Sequence, residues 1–390
     1  MDIKSNIWKM YLYTFFISLS FFTPVIVLFW QDNGLSLTKI MLLQSIFSIA
    51  VVVLEIPTGY FADVFTRKRA LVIASFSVFF SMLVYGFSSN FYQFLIAEIL
   101  WAVGMSFISG TDSAFIYDTL KDIKREKEYK KIQGNVFYYG FIAMALAHIS
   151  GGFIGKVNFR YTFFVTLPFL FLMIILSFTL KEPERHKLIF KKGYLSELLK
   201  IIKFSIIKNK KIRWLIIYSA VIVGFNGAVL WFYQPYMKLT GLDIVHFGFV
   251  FAAFQIVAAV SSKYAYNIET RLGRKHSLIM LVILIGISYL LMGHFVYLFS
   301  FSFAFIQQFV RGFYKPVITD YINNLISSDI RATVLSAHNL MGKLFYALII
   351  PFIGYIADVY SLIQSLIVLG ITSLIIGIIV LIILHKNKII

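Results

Sequence analysis

The sequence predicts an all-α membrane protein whose twelve transmembrane helices form two pseudo-symmetric six-helix bundles. Three observations lead to this prediction. The 390 residues are 59% hydrophobic and only 14% charged, apolar runs recur along the whole chain, and a charged turn of the first half is repeated in the second. A bilayer core is crossed by roughly 20 apolar residues. Lipid offers no hydrogen bonds to the backbone, so these runs must be helices.

The apolar runs define the twelve spans, which are separated by short polar turns. In chain order we place them at 8–30, 37–61, 69–89, 91–120, 133–156, 159–180, 214–237, 242–267, 276–294, 297–324, 332–356 and 361–385. The first run has no small-residue cleavage site, so it is interpreted as a true span and not as a signal peptide.

An internal repeat relates the two bundles. The segment from Gly34 to Leu71 aligns without a gap with the segment from Gly241 to Leu278, 207 residues later. Six spans separate the copies, so both have the same orientation and the repeat is parallel. The predicted domains are therefore 1–183 and 213–390.

The long polar interval at 184–212 is predicted to be a cytoplasmic linker. Its leucines and isoleucines recur at helical spacing, which indicates a short helix lying in the membrane interface. A solvated charged linker is the alternative.

The net charge of +18 reflects topology and not nucleic-acid binding. Basic residues concentrate in alternate loops, whereas the opposite loops hold only Lys39, Lys156, Arg160 and Lys238. By the positive-inside rule, both termini are predicted to be cytoplasmic in a multi-pass protein of the cell membrane. The bilayer is the expected partner of the basic surface.

The composition also limits the chemistry. The chain has no cysteine, which excludes disulfides, thiolate metal sites and cysteine nucleophiles. No metal-ligand cluster, catalytic constellation or phosphate-binding loop is evident. We therefore expect neither an enzyme nor a cofactor, and energy must come from an ion gradient.

The charged turn between the second and third spans carries a family resemblance. It contains Gly59, Asp63, Arg67 and Lys68 in the pattern Gly-x-x-x-Asp-x-x-x-Arg-Lys. The second copy of the turn contains Arg271, Gly273 and Arg274. Together with twelve spans and the parallel repeat, these residues resemble the major facilitator superfamily (MFS) of secondary transporters.

The resemblance implies that the first, fourth, seventh and tenth helices line a central cavity. A charge at the bilayer centre costs about 2.5–3.5 kcal/mol, so embedded charges need partners or water. Asp112 and Arg311 are therefore predicted to form the polar centre of a substrate cavity. The other predicted cavity residues are Lys315, Gln307, Trp101 and Asn226. A buried pair that only fixes helix packing is the alternative.

Three residues are candidates for coupling transport to protons. Glu55 and Asp112 are carboxylates in spans, and shielding from water raises a carboxyl pKa toward neutrality. His148 has an unperturbed pKa near 6.5. The resemblance places the second and eleventh helices between the halves, so Glu55 is also expected to pair with Lys343 at this domain seam. Structural roles for Glu55 and His148 remain open.

The charged turn itself is predicted to be a conformational latch. Asp63 would accept hydrogen bonds from the N-terminus of the eleventh helix, near Ala332 and Thr333. The latch is predicted to comprise Gly59, Asp63, Arg67, Lys68, Arg271, Gly273 and Arg274. Retention of topology alone is the alternative.

The function predicted from these features is secondary active transport by alternating access. Proton-coupled export of a small organic or amphipathic molecule by a monomer is the leading version. Proton-coupled uptake of a nutrient or ion by symport is the alternative, and a non-transporting membrane sensor is a third class.

Overall fold

The computed structural model describes residues 3–184, 209–326 and 331–389, and throughout these ranges the regular structure is helical. The first half contains α1 (Ser5–Ser18), α2 (Ile26–Asp32), α3 (Leu37–Val64), α4 (Arg67–Phe87), α5 (Phe91–Ile108), α6 (Thr111–Asp122), α7 (Tyr129–Val157) and α8 (Phe159–Thr179). The second half contains α9 (Lys210–Ala228), α10 (Tyr233–Leu239), α11 (Ile244–His294), α12 (Ala304–Asn323), α13 (Arg331–Val359) and α14 (Leu362–Lys386).

These helices confirm the predicted all-helical membrane fold. Nine helices of the described residues are long and apolar enough to cross a membrane. One of them, α11, contains a non-helical residue at Gly273 and covers two predicted spans. The predicted first span is divided between α1 and α2. The predicted tenth span is α12, a 20-residue helix that carries Arg311 and Lys315.

Side-chain caps explain why several spans begin where they do. Thr66 accepts a hydrogen bond from the backbone N–H of Arg69 at the start of α4, and Asn90 accepts one from Gln93 at the start of α5. Ser361 caps α14 in the same way. The first N–H groups of a helix have no partner within it, so a polar residue before an apolar run fixes its start.

Three of the predicted spans are interrupted, which the sequence analysis did not anticipate. The first is broken between Ser18 and Ile26, and the seventh changes to a 3-10 turn at Val229–Trp231 before α10. The fourth is broken at Gly110, whose φ of 76° is left-handed. Irregular backbone is tolerated within a membrane where it is buried in protein or lines a water-filled cavity.

The described residues group into two compact units. Unit 1 contains the described residues within Met1–Leu35, Ile46–Lys191 and Asp243–Ala252, and unit 2 contains those within Ser36–Ser45, Lys192–Leu242 and Ala253–Ile390. Ser36–Ser45 and Asp243–Ala252 are 207 residues apart and are therefore equivalent in the repeat. We call them the crossing segments. Ser36–Ser45 comes from the first half of the chain but belongs to unit 2, and Asp243–Ala252 comes from the second half but belongs to unit 1. The predicted linker at 184–212 falls largely outside the described residues and stays a prediction.

The repeat extends to buried hydrogen bonds. The Tyr13 hydroxyl donates to the carbonyl of Leu71 at 3.1 Å in unit 1, and the Tyr218 hydroxyl donates to the carbonyl of Leu278 at 2.7 Å in unit 2. Leu71 and Leu278 are equivalent positions of the repeat. These bonds connect the first span to the third and the seventh span to the ninth. They stabilise both contacts, because a buried hydroxyl without a hydrogen-bond partner is costly.

Candidate functional site

The first charged turn is held by two acids that the sequence analysis missed. Glu182 accepts hydrogen bonds from the backbone N–H groups of Arg67 at 3.0 Å and Lys68 at 2.8 Å, so its carboxylate caps α4. The Arg67 guanidinium forms an ion pair with Asp118 and a hydrogen bond to the carbonyl of Ala114, both on α6. The turn therefore links the start of α4 to α6 and to the residues after α8. The latch role of Gly59, Asp63 and Lys68 stays a prediction.

The second charged turn is built differently. Gly273 has a φ of 73°, which favours glycine, and this residue separates the two parts of α11. The Arg274 guanidinium lies 4.5 Å from the centroid of the Tyr321 ring, and the Tyr321 hydroxyl donates to Glu269 at 2.5 Å. In the second turn Tyr321 thus contacts both Arg274 and Glu269, whereas in the first turn Arg67 binds Asp118 directly.

Arg271 is exposed and is one of the residues that line a groove in unit 2. The groove has a volume of about 580 Å³ and is lined mainly by α11. Ile256, Val260 and Tyr264 are exposed apolar residues of this lining. Arg271 and Arg274 therefore have different surroundings, although both were predicted to belong to one latch.

Asp112 lies at the interruption of the fourth span. Because Gly110 is left-handed, a new helix, α6, begins at Thr111 and has Asp112 in its first turn. The Asp112 carboxylate accepts a hydrogen bond from the backbone N–H of Ser113 at 2.6 Å. An acid in the first turn of a helix is stabilised by the helix dipole. The break thus creates a favourable position for a carboxylate within a span.

Arg311 is positioned by close packing between α12 and α11. A Cβ at Gly312 would meet the carbonyl oxygen of Ala258 at 2.1 Å, so only glycine allows this approach. The Ser261 hydroxyl donates to the carbonyl of Phe309 at 2.7 Å and fixes the same crossing. There, Arg311 Nη2 donates to Gln255 Oε1 at 2.7 Å.

Two consecutive glutamines precede Arg311 by one turn. Gln307 is fully buried, and its amide accepts from Asn226 Nδ2 at 2.8 Å and donates to the carbonyl of Ile285 at 3.2 Å. Gln308 Nε2 donates to the Tyr233 hydroxyl at 2.9 Å, whereas Gln308 Oε1 is buried without a hydrogen-bond partner among the described residues. The amides of Gln307 and Asn226 are thus largely occupied by each other, and their predicted role in the cavity stays a prediction.

The remaining predicted residues lie in several places. Lys315 is exposed on α12, one turn beyond Arg311, and half-buried Trp101 packs edge-on against Phe22 with ring centroids 6.0 Å apart. Half-buried Glu55 is on α3 in unit 1, and half-buried Lys343 is on α13 in unit 2. Their predicted pairing stays a prediction.

His148 is buried on α7 against a crossing segment. Its ring contacts the ring of Phe251 edge-on at 6.0 Å, and a Cβ at Gly248 would meet the carbonyl oxygen of His148 at 2.1 Å. Both the proton-relay role of His148 and its structural alternative stay predictions.

Each crossing segment is also held by a charged residue that the sequence analysis did not single out. Asp358, at the end of α13, accepts hydrogen bonds from the first residues of α3. Lys156, at the end of α7, forms an ion pair with Asp243 at 2.8 Å. The hydrogen bond from Lys156 lowers the pKa of the Asp243 carboxyl below its usual value. The sequence did offer one signal for these two residues, because each is a charge at the end of a long apolar helix.

Comparisons with known proteins agree with this architecture. The sequence model of the Major Facilitator Superfamily matches residues 10–343 and 219–388. The uncharacterized MFS-type transporter YxaM of Bacillus subtilis (strain 168) is 26% identical over 378 residues, which cover 92% of this chain and 90% of YxaM. Multidrug resistance protein 1 of the same organism is 28% identical over 176 residues, covering 45% of this chain and 44% of that protein.

The crystal structure of the nucleoside transporter NupG has a similar fold. It superimposes with a TM-score of 0.80 and covers 97% of this chain and 98% of its own. Its sequence identity is 13%, so this likeness concerns the fold alone.

Proposed function

This chain belongs to the Major Facilitator Superfamily, whose members are transporters and not enzymes, and we propose that it exports a small organic or amphipathic molecule in exchange for protons. Transport would proceed by alternating access around a site near the middle of the membrane. Asp112 would bind the proton and Arg311 would contact the substrate.

The interruption at Gly110 is the observation that carries this proposal. It places Asp112 in the first turn of α6, inside a predicted span, where its carboxylate accepts a backbone hydrogen bond from Ser113. Within the described part of unit 1, this carboxylate forms no ion pair. A carboxylate that is held in place but not neutralised by a neighbouring base is suited to gain and lose a proton.

The repeat supports the proposed mechanism of alternating access. The crossing segments occupy equivalent positions of the two copies, and the first and seventh spans are interrupted before equivalent helices, α2 and α10. Parallel repeats with discontinuous helices are typical of transporters that rock around a central site.

Export is supported by the partial similarity to a protein named for multidrug resistance. We further propose that the protein is a monomer of the cell membrane with both termini in the cytoplasm. Because the chain has no cysteine, single cysteines at exposed Lys4, near the N-terminus, and exposed Ser89, in the loop before α5, would report the topology directly. Impermeant maleimide applied to intact cells should label the second and not the first.

Proton coupling can be tested in proteoliposomes that contain a trapped pH-sensitive dye. Candidate substrates are first selected by their stabilisation of the purified protein against heat. Addition of a transported substrate should move protons through the wild type, whereas Asp112→Asn should bind substrate and move none. Asp320→Asn is the matched control, since Asp320 is an exposed acid that bonds only Asn324 among the described residues. Equal proton movement by wild type and Asp112→Asn would exclude this role.

A further inference from the structure

Arg311 is a charged residue in a predicted span, and its hydrogen-bond partner among the described residues is neutral. Its guanidinium donates to the amide oxygen of Gln255, although a guanidinium carries five N–H donors. A charge in this position is costly unless it is compensated by an opposite charge or by water. The role of Arg311 therefore depends on which group supplies the opposite charge.

The acids of the same unit are engaged elsewhere. The described residues of unit 2 include three acids, Glu269, Asp320 and Asp358. Glu269 accepts from Tyr321, Asp320 accepts from Asn324, and Asp358 accepts from Thr38. Within this described part of unit 2, Arg311 thus has no carboxylate as its counter-ion.

The groups beside Arg311 add to its capacity to bind an anion. Lys315 is one helical turn further along α12, which brings a second cation to the same face of the helix, and its side chain is exposed. Buried Gln308 Oε1 has no hydrogen-bond partner among the described residues. It could accept a hydrogen bond from a hydroxyl or amide group of a bound molecule.

An apolar surface adjoins these polar groups. Tyr233, which accepts from Gln308, packs against Phe254 with ring centroids 5.0 Å apart, and Phe254 packs against Phe305 at the same separation. Aromatic side chains next to a small number of oriented polar groups are typical of sites for small organic ligands.

From these contacts we infer that Arg311, with Lys315, binds the anionic group of the transported molecule, so that the substrates are amphipathic organic anions. The substrate would supply the counter-charge that the described acids of unit 2 do not. The aromatic cluster of Tyr233, Phe254 and Phe305 would contact its apolar part. This inference rests on the proposed transport function and adds the class of the substrate.

The test uses compounds of equal size and different charge. Benzoate and 2-naphthoate are compared with their amides and with benzylamine and 2-naphthylmethylamine, and binding to the purified full-length protein is measured by calorimetry. The carboxylates should bind at least about tenfold more tightly than the amides, and the amines most weakly. Equal affinities, preference for the amines or failure of both carboxylates to bind would overturn the inference.

Variants of Arg311 separate recognition of charge from folding. Arg311→Gln should lose at least about tenfold in carboxylate affinity, Arg311→Lys should retain part of it, and Arg311→Glu should prefer the amines. Lys263→Gln is the control, because Lys263 is an exposed cation of α11 that lies over Tyr264. Unchanged carboxylate affinity in Arg311→Gln that melts like the wild type would contradict the inference.

The proton assay distinguishes this inference from the proposed function. If the amines drive proton movement and the carboxylates do not, transport stands and the anionic class is wrong. If the carboxylates bind through Arg311 but no compound moves protons, the site stands and proton-coupled transport is wrong.

Discussion

The carboxylate of Asp358 binds the start of helix α3 through Thr38. Asp358 Oδ2 accepts hydrogen bonds from the backbone N–H of Thr38 at 2.7 Å and from its hydroxyl at 2.5 Å, while Oδ1 accepts from the N–H of Leu37 at 2.9 Å. One acid at the end of α13 thus satisfies N–H groups that α3 leaves without partners in its first turn. The contact attaches the crossing segment Ser36–Ser45 to unit 2.

Replacement of Asp358 should therefore destabilise the protein. Asp358→Ala leaves the backbone N–H groups of Leu37 and Thr38 without their acceptor. A hydrogen bond to a charged group contributes about 1.5–3 kcal/mol to stability. The loss here should be smaller, because water can replace the acceptor at this exposed helix end. We expect a lower melting temperature by intrinsic tryptophan fluorescence, and a smaller loss for Asp358→Asn. Asp320→Ala serves as the control acid, and an equal change in both alanine variants would contradict this account.

The Lys156–Asp243 ion pair should make a smaller, pH-dependent contribution. Lys156 lowers the pKa of Asp243 in the folded protein, so its stabilisation is present above the unfolded pKa of about 3.8. It is lost as the pH falls through the lower, folded pKa. Lys156→Gln should therefore reduce the melting temperature slightly at about pH 6, and this difference should shrink as the pH falls through the folded pKa of Asp243.

Salt offers an independent check on this pair. Both side chains are about half exposed, and exposed pairs are screened by ions. The difference between wild type and Lys156→Gln at about pH 6 should shrink in about 1 M salt. A difference that persists at high salt would indicate a packing effect of the lysine stem.

Glu182 should be the main anchor of the first charged turn. Its carboxylate accepts the backbone N–H groups of Arg67 and Lys68, and loss of a helix cap costs about 0.5–2 kcal/mol. Glu182→Ala should lower the melting temperature, whereas Glu184→Ala, at an exposed acid two residues later, should not. If the two variants melt alike, the cap contributes nothing to stability.

Gly110 should be intolerant of any side chain for a conformational reason. A Cβ there would meet no atom within 4 Å, yet its φ is 76°, and the left-handed conformation costs other residues about 1–2 kcal/mol. Gly110→Ala should therefore destabilise the protein and reduce substrate-driven proton movement, because the turn positions Asp112.

Gly134 provides a matched control for Gly110. It also has open space around its Cβ position, but it lies within helix α7. Gly134→Ala should be neutral or stabilising, since alanine has the higher helix propensity by about 1 kcal/mol. Equal effects of the two substitutions would contradict a role for the left-handed turn.

Much of the architecture could be predicted because it depends on local patterns. Polar caps such as Thr66 and Asn90 mark helix starts, and Gly34 and Gly241, both with positive φ, are at equivalent positions of the repeat that the sequence revealed. The tight packing at Gly312 could not be predicted, because a glycine within a span is compatible with several neighbours. The interruption at Val229–Trp231 was missed since its residues are as apolar as those of a continuous helix. Pro24 lies in the first interruption, but a proline does not by itself mark a break, because Pro57 and Pro168 lie within helices.

The predicted site residues show the same division. The sequence identified Asp112 and Arg311 because charges are rare and costly in apolar runs. It did not identify Gln255 as the partner of Arg311 or Glu182 as the cap of α4, since these contacts join residues 56 and 115 positions apart.

The sequence by itself determined the class, the helices and the repeat, because transfer of apolar residues into lipid and the need for internal backbone hydrogen bonds act on each segment separately. The tertiary structure decided which acid binds which base or helix start, and where a span is interrupted. Those outcomes depend on distances between segments far apart in the chain, and no local pattern of residues encodes such distances.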